Sequence, residues 1–168
     1  MCREVWSALS MFRDAEEVFR MRAAVLADPF PTVTLSTATI DAARLLVRDH
    51  VTRLIVVDAA QRPMTMLEGT RLLHNAVPTS GRDDSVRARM VEEPAASIFP
   101  RDVAEGTVND VLPSPMPDLP VVGVDASLLE AAAAMAECGI PLVAVVSTND
   151  ALVGAITVDA VLDRLLSA

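Results

Sequence analysis

The side chains able to do chemistry are few and scattered. His50 and His74 have no acid or cysteine at metal-ligand spacing, and Cys2 and Cys138 make no paired motif. There is no G-x-x-x-x-G-K-[ST] loop, no G-x-S-x-G elbow and no cysteine–histidine pairing with an orienting third residue. No catalytic residue is therefore expected, and the chain does not read as an enzyme. What remains is acid. Asp118, Asp125, Glu130, Asp150, Asp159 and Asp163 crowd the last third of the chain. Gathered, for example across a dimer interface, such carboxylates hold a hard divalent cation; dispersed, they only keep an acidic protein in solution.

The charge balance points the same way. With 14 Lys and Arg against 23 Asp and Glu, the net charge is −9. Nucleic acid and anionic membrane both require a basic surface that displaces counterions, so neither is an expected partner. Membrane insertion is not expected either. The most apolar run, 131–146, is broken by Glu137, Gly139 and Pro141 and falls short of the roughly 20 residues a bilayer needs. Arg3, Glu4, Arg13 and Asp14 interrupt the early apolar region, so no secretory leader is expected. Two unpaired thiols fit a reducing compartment, and cytoplasm is the expected location.

The elements that position these residues come from an internal duplication. Residues 36–57 laid on 125–146, an offset of 89, show the same order of chemistry. Ile40 falls on Leu129, Asp41 on Glu130, Leu46 on Met135, and Val56-Val57 on Val145-Val146. Each copy reads as strand, amphipathic helix, apolar strand, turn, strand and closing helix, a βαββα unit. The 52% apolar content can bury one substantial core, and pairing two units is the economical way to cover their apolar sheet faces. The expected fold is thus mixed α/β, with two units related by a pseudo-twofold axis and their sheets packed together.

In chain order, 1–27 is an N-terminal arm and helix, 28–78 the first unit, 79–106 a connector with a short helix near 84–93, and 107–168 the second unit. Asp14 and Glu17 predict a cap for a helix whose Val18, Met21, Val25 and Leu26 share a face. In the first unit, Ser36 or Thr37 is expected to cap a helix over 39–49 with Ile40, Ala43, Leu46 and Val47 buried. Strands are expected over 32–35, 54–57 and 64–67, with a helix over 70–77. In the second unit they are expected over 121–124, 142–146 and 152–157, with helices over 127–138 and 158–166. A helix at 107–112 answers the one before the first unit at an offset of 86, setting Val111-Leu112 against Val25-Leu26. The consecutive alanines Ala131 to Ala134 suit a helix that neighbouring backbones approach closely. His50 stands where the second copy has Gly139, at a helix end, where an imidazole meets exposed carbonyls.

The order strand, helix, Gly139-Ile140, apolar strand, turn, then LVGAIT with an acid two residues later resembles the cystathionine β-synthase (CBS) domain. Two such copies resemble the stand-alone tandem CBS module. The resemblance covers about 28–77 and 107–166. It implies two clefts that in many members bind an adenine nucleotide. There a hydroxyl and a carboxylate after the last strand hold the ribose, a helix N-terminus helps with anionic groups, and backbone near the first strand faces the base. The usual motif is Gly, two apolar residues, Thr or Ser, two variable residues, then Asp. Gly154, Ala155, Ile156 and Thr157 match it, but the acid is Asp159, one residue early, and Ala160 holds the expected place. One helical position turns a side chain by about 100°. In the first copy Thr65 replaces the glycine, Glu68 the hydroxyl, and Thr70-Arg71 stand where Asp159-Ala160 stand. Glu68 would repel phosphate. Arg53 matches a basic position that contacts phosphate in some relatives.

The resemblance therefore implies ligand-binding residues Thr157, Asp159, Val121 and Gly154 in the second copy and Thr32 and Arg53 in the first. Three readings stay open. One is a regulatory sensor of ATP, ADP, AMP or S-adenosylmethionine, with no cofactor required, that signals to an unknown protein effector. Another is a divalent-cation sensor: Thr157, Val158, Asp159, Val161 and Asp163 resemble a TVDxVxD stretch in magnesium-transporter modules, which makes Mg a candidate. The last is a structural dimerisation module that binds nothing. Tandem modules commonly pair, so a homodimer is implied, with Trp6 and Phe12 on the N-terminal arm as candidate contacts.

Overall fold

In the computed structural model, residues 20–76 and 105–167 are described. The expected cap at Asp14, the connector helix near 84–93, and the arm with Trp6 and Phe12 lie outside them. The elements are α1 (Ala23–Leu26), β1 (Thr32–Val33), α2 (Thr39–Arg48), β2 (Arg53–Val57), β3 (Pro63–Glu68), α3 (Gly69–Ala76), α4 (Val108–Val111), β4 (Val121–Gly123), α5 (Leu128–Cys138), β5 (Leu142–Val146), β6 (Leu152–Thr157) and α6 (Val158–Leu166). They form two three-stranded sheets, ordered β1-β2-β3 and β4-β5-β6. The fold is mixed α/β.

The duplication holds at the level of register. β1 runs parallel to β2 with Thr32 opposite Ile55 and Val33 opposite Val56. β4 runs parallel to β5 with Val121 opposite Ala144 and Val122 opposite Val145, the same pairs 89 positions later. The central strands β2 and β5 are apolar without alternation because both their faces are covered, and Leu54 to Val57 and Leu142 to Val146 are all buried.

Contacts divide the chain into two compact units. The first-repeat unit holds 31–58 together with 65–76 and 105–117 of the described residues. The second-repeat unit holds 20–30, 59–64 and 118–167. The two short leading helices are exchanged between the repeats. In the second-repeat unit, Ala23 of α1 joins the core of Leu128, Ala131, Met135, Val143, Val145, Ile156 and Val161. In the first-repeat unit, Val108 and Val111 of α4 join Val33, Ala42, Leu46, Leu54, Val56, Leu67 and Leu72. The hydrogen bonds match one for one. Thr39 N–H donates to Gly106 O and Val108 N–H to Thr37 O in one unit; Leu128 N–H donates to Met21 O and Ala23 N–H to Ala126 O in the other.

These bonds correct two expectations. They align Ala23 with Val108 at an offset of 85, not 86, which puts the two fully buried residues in register. They also hold Arg22 extended, bridged to Ser127, so that the helix over the described part of 14–27 is only the single turn Ala23–Leu26. Val25 is accordingly 69% exposed, whereas Leu26 packs against the core, so the two do not share a face.

In α2 the buried residues are Thr39, Ala42 and Leu46, one position round from the expected stripe, and Val47 faces solvent. Neither Ser36 nor Thr37 caps this helix. Ala38 takes the N-cap position, and Thr37 Oγ1 instead accepts from Thr34 N–H at 2.9 Å. By contrast α5 carries a full capping box. Ser127 Oγ accepts from Glu130 N–H, and the Glu130 carboxylate accepts from Ser127 N–H at 2.7 Å.

Candidate functional site

The end of β6 and the start of α6 bring the second-copy residues together. Leu142 lies opposite Thr157, and Val121 opposite Ala144, so Thr157 and the start of β4 flank β5 at one end of the sheet. Two strand spacings and a stagger of two residues along β5, about 12 Å in all, separate them. Ala144 N–H binds Pro120 O at 2.9 Å and fixes the approach to β4, where Val121 is exposed.

Thr157 is the N-cap of α6, and its hydroxyl oxygen accepts from Ala160 N–H at 3.3 Å. That leaves the hydroxyl hydrogen to donate outward. Asp159 lies in the first turn and is exposed, a favourable place for a carboxylate beside unpaired backbone N–H groups. A donor and an acceptor two residues apart at a helix start can engage the two hydroxyls of a vicinal diol.

Gly154 does a different job. It is buried, and its neighbour Ala155 exchanges backbone hydrogen bonds with Asp28: Asp28 N–H to Ala155 O at 3.1 Å and Ala155 N–H to Asp28 O at 2.9 Å. A Cβ on Gly154 would sit 2.5 Å from Asp28 O and 3.0 Å from its carbonyl carbon. The glycine admits the Asp28 backbone to β6.

The first copy is built on the same plan with its groups tied up. Thr32 opens β1 opposite Ile55, and Arg53 opens β2. Arg53 Nε donates to Glu68 Oε1 at 3.0 Å, with the Arg53 side chain 29% exposed. Thr70 Oγ1 donates to the other carboxylate oxygen at 3.4 Å. Thus the basic residue and the acid that replaces the hydroxyl neutralise each other. This pair was legible in principle: Arg53 and Glu68 are the counterparts of Leu142 and Thr157, which are direct cross-strand partners. Thr65, in place of the glycine, is fully buried and donates its hydroxyl to Pro117 O at 2.7 Å. Pro117 stands 89 positions after Asp28, so a side-chain bond replaces the backbone bridge.

Three carboxylates outside this region are held below the usual range, Asp49 among them through its hydrogen bond from Arg48. Backbone and side-chain hydrogen bonds from Thr107 lower Asp110, and those from Ser127 lower Glu130. Among the described residues no three His, Cys, Asp or Glu side chains gather as a metal ion would require. None of the helices among these residues is long and apolar enough to cross a membrane.

Residues 108–167 match the family model of the CBS domain. No curated protein matches the chain. Among solved structures, a CBS domain-containing protein of unknown function from Kribbella flavida is 36% identical, with a TM-score of 0.75 over 87% of this chain and 99% of its own. The CBS domain of a CBS domain-containing membrane protein from Sphaerobacter thermophilus is 18% identical, with a TM-score of 0.74 over 95% of this chain and 97% of its own. The CBS-pair protein CBSX2 from Arabidopsis thaliana is 20% identical, with a TM-score of 0.60 over 87% of this chain and 94% of its own. A structure of CBSX2 in complex with AMP is 22% identical, with a TM-score of 0.61 over 87% and 96%. The repeated register, the strand-to-helix junction at Thr157 and the Kribbella relative together place this chain in the family of CBS-domain proteins.

Proposed function

We propose that the chain is a regulatory sensor that binds an adenine nucleotide at the junction of β6 and α6 in the second-repeat unit and signals to a partner protein. The observation that carries this reading is Thr157 at the helix N-cap with Asp159 in the next turn, at the sheet end that Val121 shares. In this reading Thr157 donates to one ribose hydroxyl, Asp159 accepts from the other, and backbone at Val121 faces the adenine. Gly154 supports the site from behind by letting the Asp28 backbone close on β6. The complex of CBSX2 with AMP is the precedent for the ligand class. S-adenosylmethionine offers the same adenosine, and Mg would accompany the phosphates of ATP or ADP.

Thr32 and Arg53 form the equivalent, weaker half. Glu68 engages the Arg53 guanidinium and its carboxylate opposes a phosphate there, so one strong site per chain is expected. The same ion pair favours the structural reading for the first copy, where side chains occupy the position a ligand would take. The protein acts as a cytoplasmic homodimer, without catalysis and with its effector on another protein.

Isothermal titration with AMP, ADP, ATP and S-adenosylmethionine, each with and without Mg, tests the proposal. Binding of one equivalent, lost in Thr157→Ala and Asp159→Ala, is the expected result. A ligand at 100 times its Kd also stabilises the fold by about 2.7 kcal/mol. No heat and no thermal shift with any of them overturns the sensor reading; a shift with Mg alone supports the cation reading.

A further inference from the structure

Of the first three N–H groups of α6, two are already spent inside the protein. Val158 N–H donates to Pro141 O at 3.0 Å, and Ala160 N–H to Thr157 Oγ1 at 3.3 Å. The third, on Asp159, lies beside that residue's own carboxylate. A helix start holds an anion through several convergent N–H groups, and this one does not offer them.

The side chains at this end of the sheet supply no cation in their place. Leu142, directly across from Thr157, is 2% exposed and stands where the first repeat has Arg53. Pro141 precedes it, and Val121 opens β4 on the other side of β5. The charges here are carboxylates: Asp159 itself and Asp118, three residues before Val121, both exposed. The described residues of the second-repeat unit carry Arg20, Arg22, Arg62 and Arg164 against eight Asp and Glu, so the unit as a whole is negative. Of these arginines, Arg22 is engaged by Asp125 at 2.7 Å, and Arg164 stands in the last turn of α6, about 10 Å along the axis from Thr157.

We infer that the β6–α6 site ranks adenosine ligands by the charge on the 5′ carbon: a neutral or cationic substituent, such as the sulfonium of S-adenosylmethionine, binds best, and each added phosphate weakens binding. The inference rests on the adenine-ligand reading above and adds which members of that class the site prefers. With Thr157 and Asp159 on the ribose hydroxyls, a 5′ phosphate lies within a ribose's width of the Asp159 carboxylate, inside the Debye length of about 8 Å, and no guanidinium answers it. Leu142 and Asp159 together set this specificity, one by placing a hydrocarbon where the other repeat has a cation, the other by its charge.

The test is isothermal titration of the full chain with adenosine, S-adenosylmethionine, AMP and ATP, without Mg and at low salt. AMP should bind roughly fivefold more weakly than adenosine and ATP more weakly again, S-adenosylmethionine should bind at least as tightly as adenosine, and the gaps should narrow at high salt. Asp159→Asn, at an exposed position, keeps an acceptor for the ribose and should shrink the difference between adenosine and AMP. Leu142→Arg, which installs the residue of the first repeat, should reverse it. A circular-dichroism melt verifies the folding of each variant. AMP as tight as adenosine in the wild type, a difference that Asp159→Asn leaves unchanged, or a folded Leu142→Arg that still prefers adenosine overturns the charge ranking while the adenosine site stands. If none of the four ligands binds, the sensor reading itself falls, and the ranking with it.

Discussion

His50 and Gly139 stand at equivalent helix ends, 89 positions apart, in the same left-handed backbone conformation, with φ of 53° and 65°. Gln61 and Asp150 repeat the relationship in the β-hairpin turns, at 60° and 63°. Only glycine enters this region without a steric penalty, which for other residues is roughly 1–2 kcal/mol. The first repeat carries that cost at His50. His50→Gly should therefore raise stability by about 0.5–1 kcal/mol. Gly139→Ala should lower it by about 1 kcal/mol, and through backbone strain alone, because nothing lies within 4 Å of the added Cβ. Urea denaturation of the two variants measures both.

Gly154 and Thr65, at equivalent sites, should both lose stability on substitution by alanine, one because a side chain is added and the other because one is removed. Gly154→Ala should cost about 1–3 kcal/mol, since its Cβ would press on the Asp28 carbonyl and force the backbone bridge apart. Thr65→Ala should cost about 1 kcal/mol or more by leaving Pro117 O without its donor in a buried site. Thermal melts that show Gly154→Ala as neutral would mean that 27–28 can retreat from β6 freely.

What was legible in the sequence was local. β5, β6 and α6 run over the expected residues because unbroken apolar stretches between turn residues leave little choice. The α2 stripe was misread by one position: Ile40 and Val47 look like core, but Thr39 and Ala42 are what the unit buries, and composition alone does not rank a threonine above a valine. The exchange of α1 and α4 between repeats is a long-range arrangement, and an offset of one residue in a four-residue helix leaves almost no periodic signal. At the candidate site, Thr157 was visible as part of a motif, but its role as the cap of α6 was not. Neither was the Arg53–Glu68 pair, because each residue was weighed against a ligand and not against the residue across the hairpin.

Thr39 is a defect that substitution can remove. Its hydroxyl oxygen is buried with no hydrogen-bond partner, at the position where the second repeat has the core residue Leu128. Thr39→Val keeps the shape and deletes the orphan, and should raise stability by about 1 kcal/mol. A destabilised variant would show that the hydroxyl has a partner in solution.

The capping boxes set an acid limit to stability. Hydrogen bonds from Ser127 and Thr107 favour the charged forms of Glu130 and Asp110, and both groups titrate lower in the folded chain than in the unfolded one. Their contribution is therefore complete above the unfolded values and is lost as pH falls through the folded ones, below about pH 4. Glu130→Gln should flatten this acid limb by lowering the near-neutral plateau toward the acid value, as followed by the urea midpoint against pH.

The ion pair in the first repeat makes a test of the ligand reading that does not touch the second. Glu68 stands where Thr157 stands, and it holds Arg53 at 3.0 Å. Glu68→Thr removes the carboxylate that would repel a phosphate, restores a hydroxyl at the strand end and frees the guanidinium. If the adenine-nucleotide proposal holds, the variant should take up a second equivalent of ligand per chain, with the first site unchanged, and Arg53→Ala in the same background should abolish the new equivalent alone. Titration that still returns one equivalent would mean that Asp159, which has no carboxylate counterpart at Thr70, is indispensable to the site; Thr70→Asp added to Glu68→Thr should then supply it.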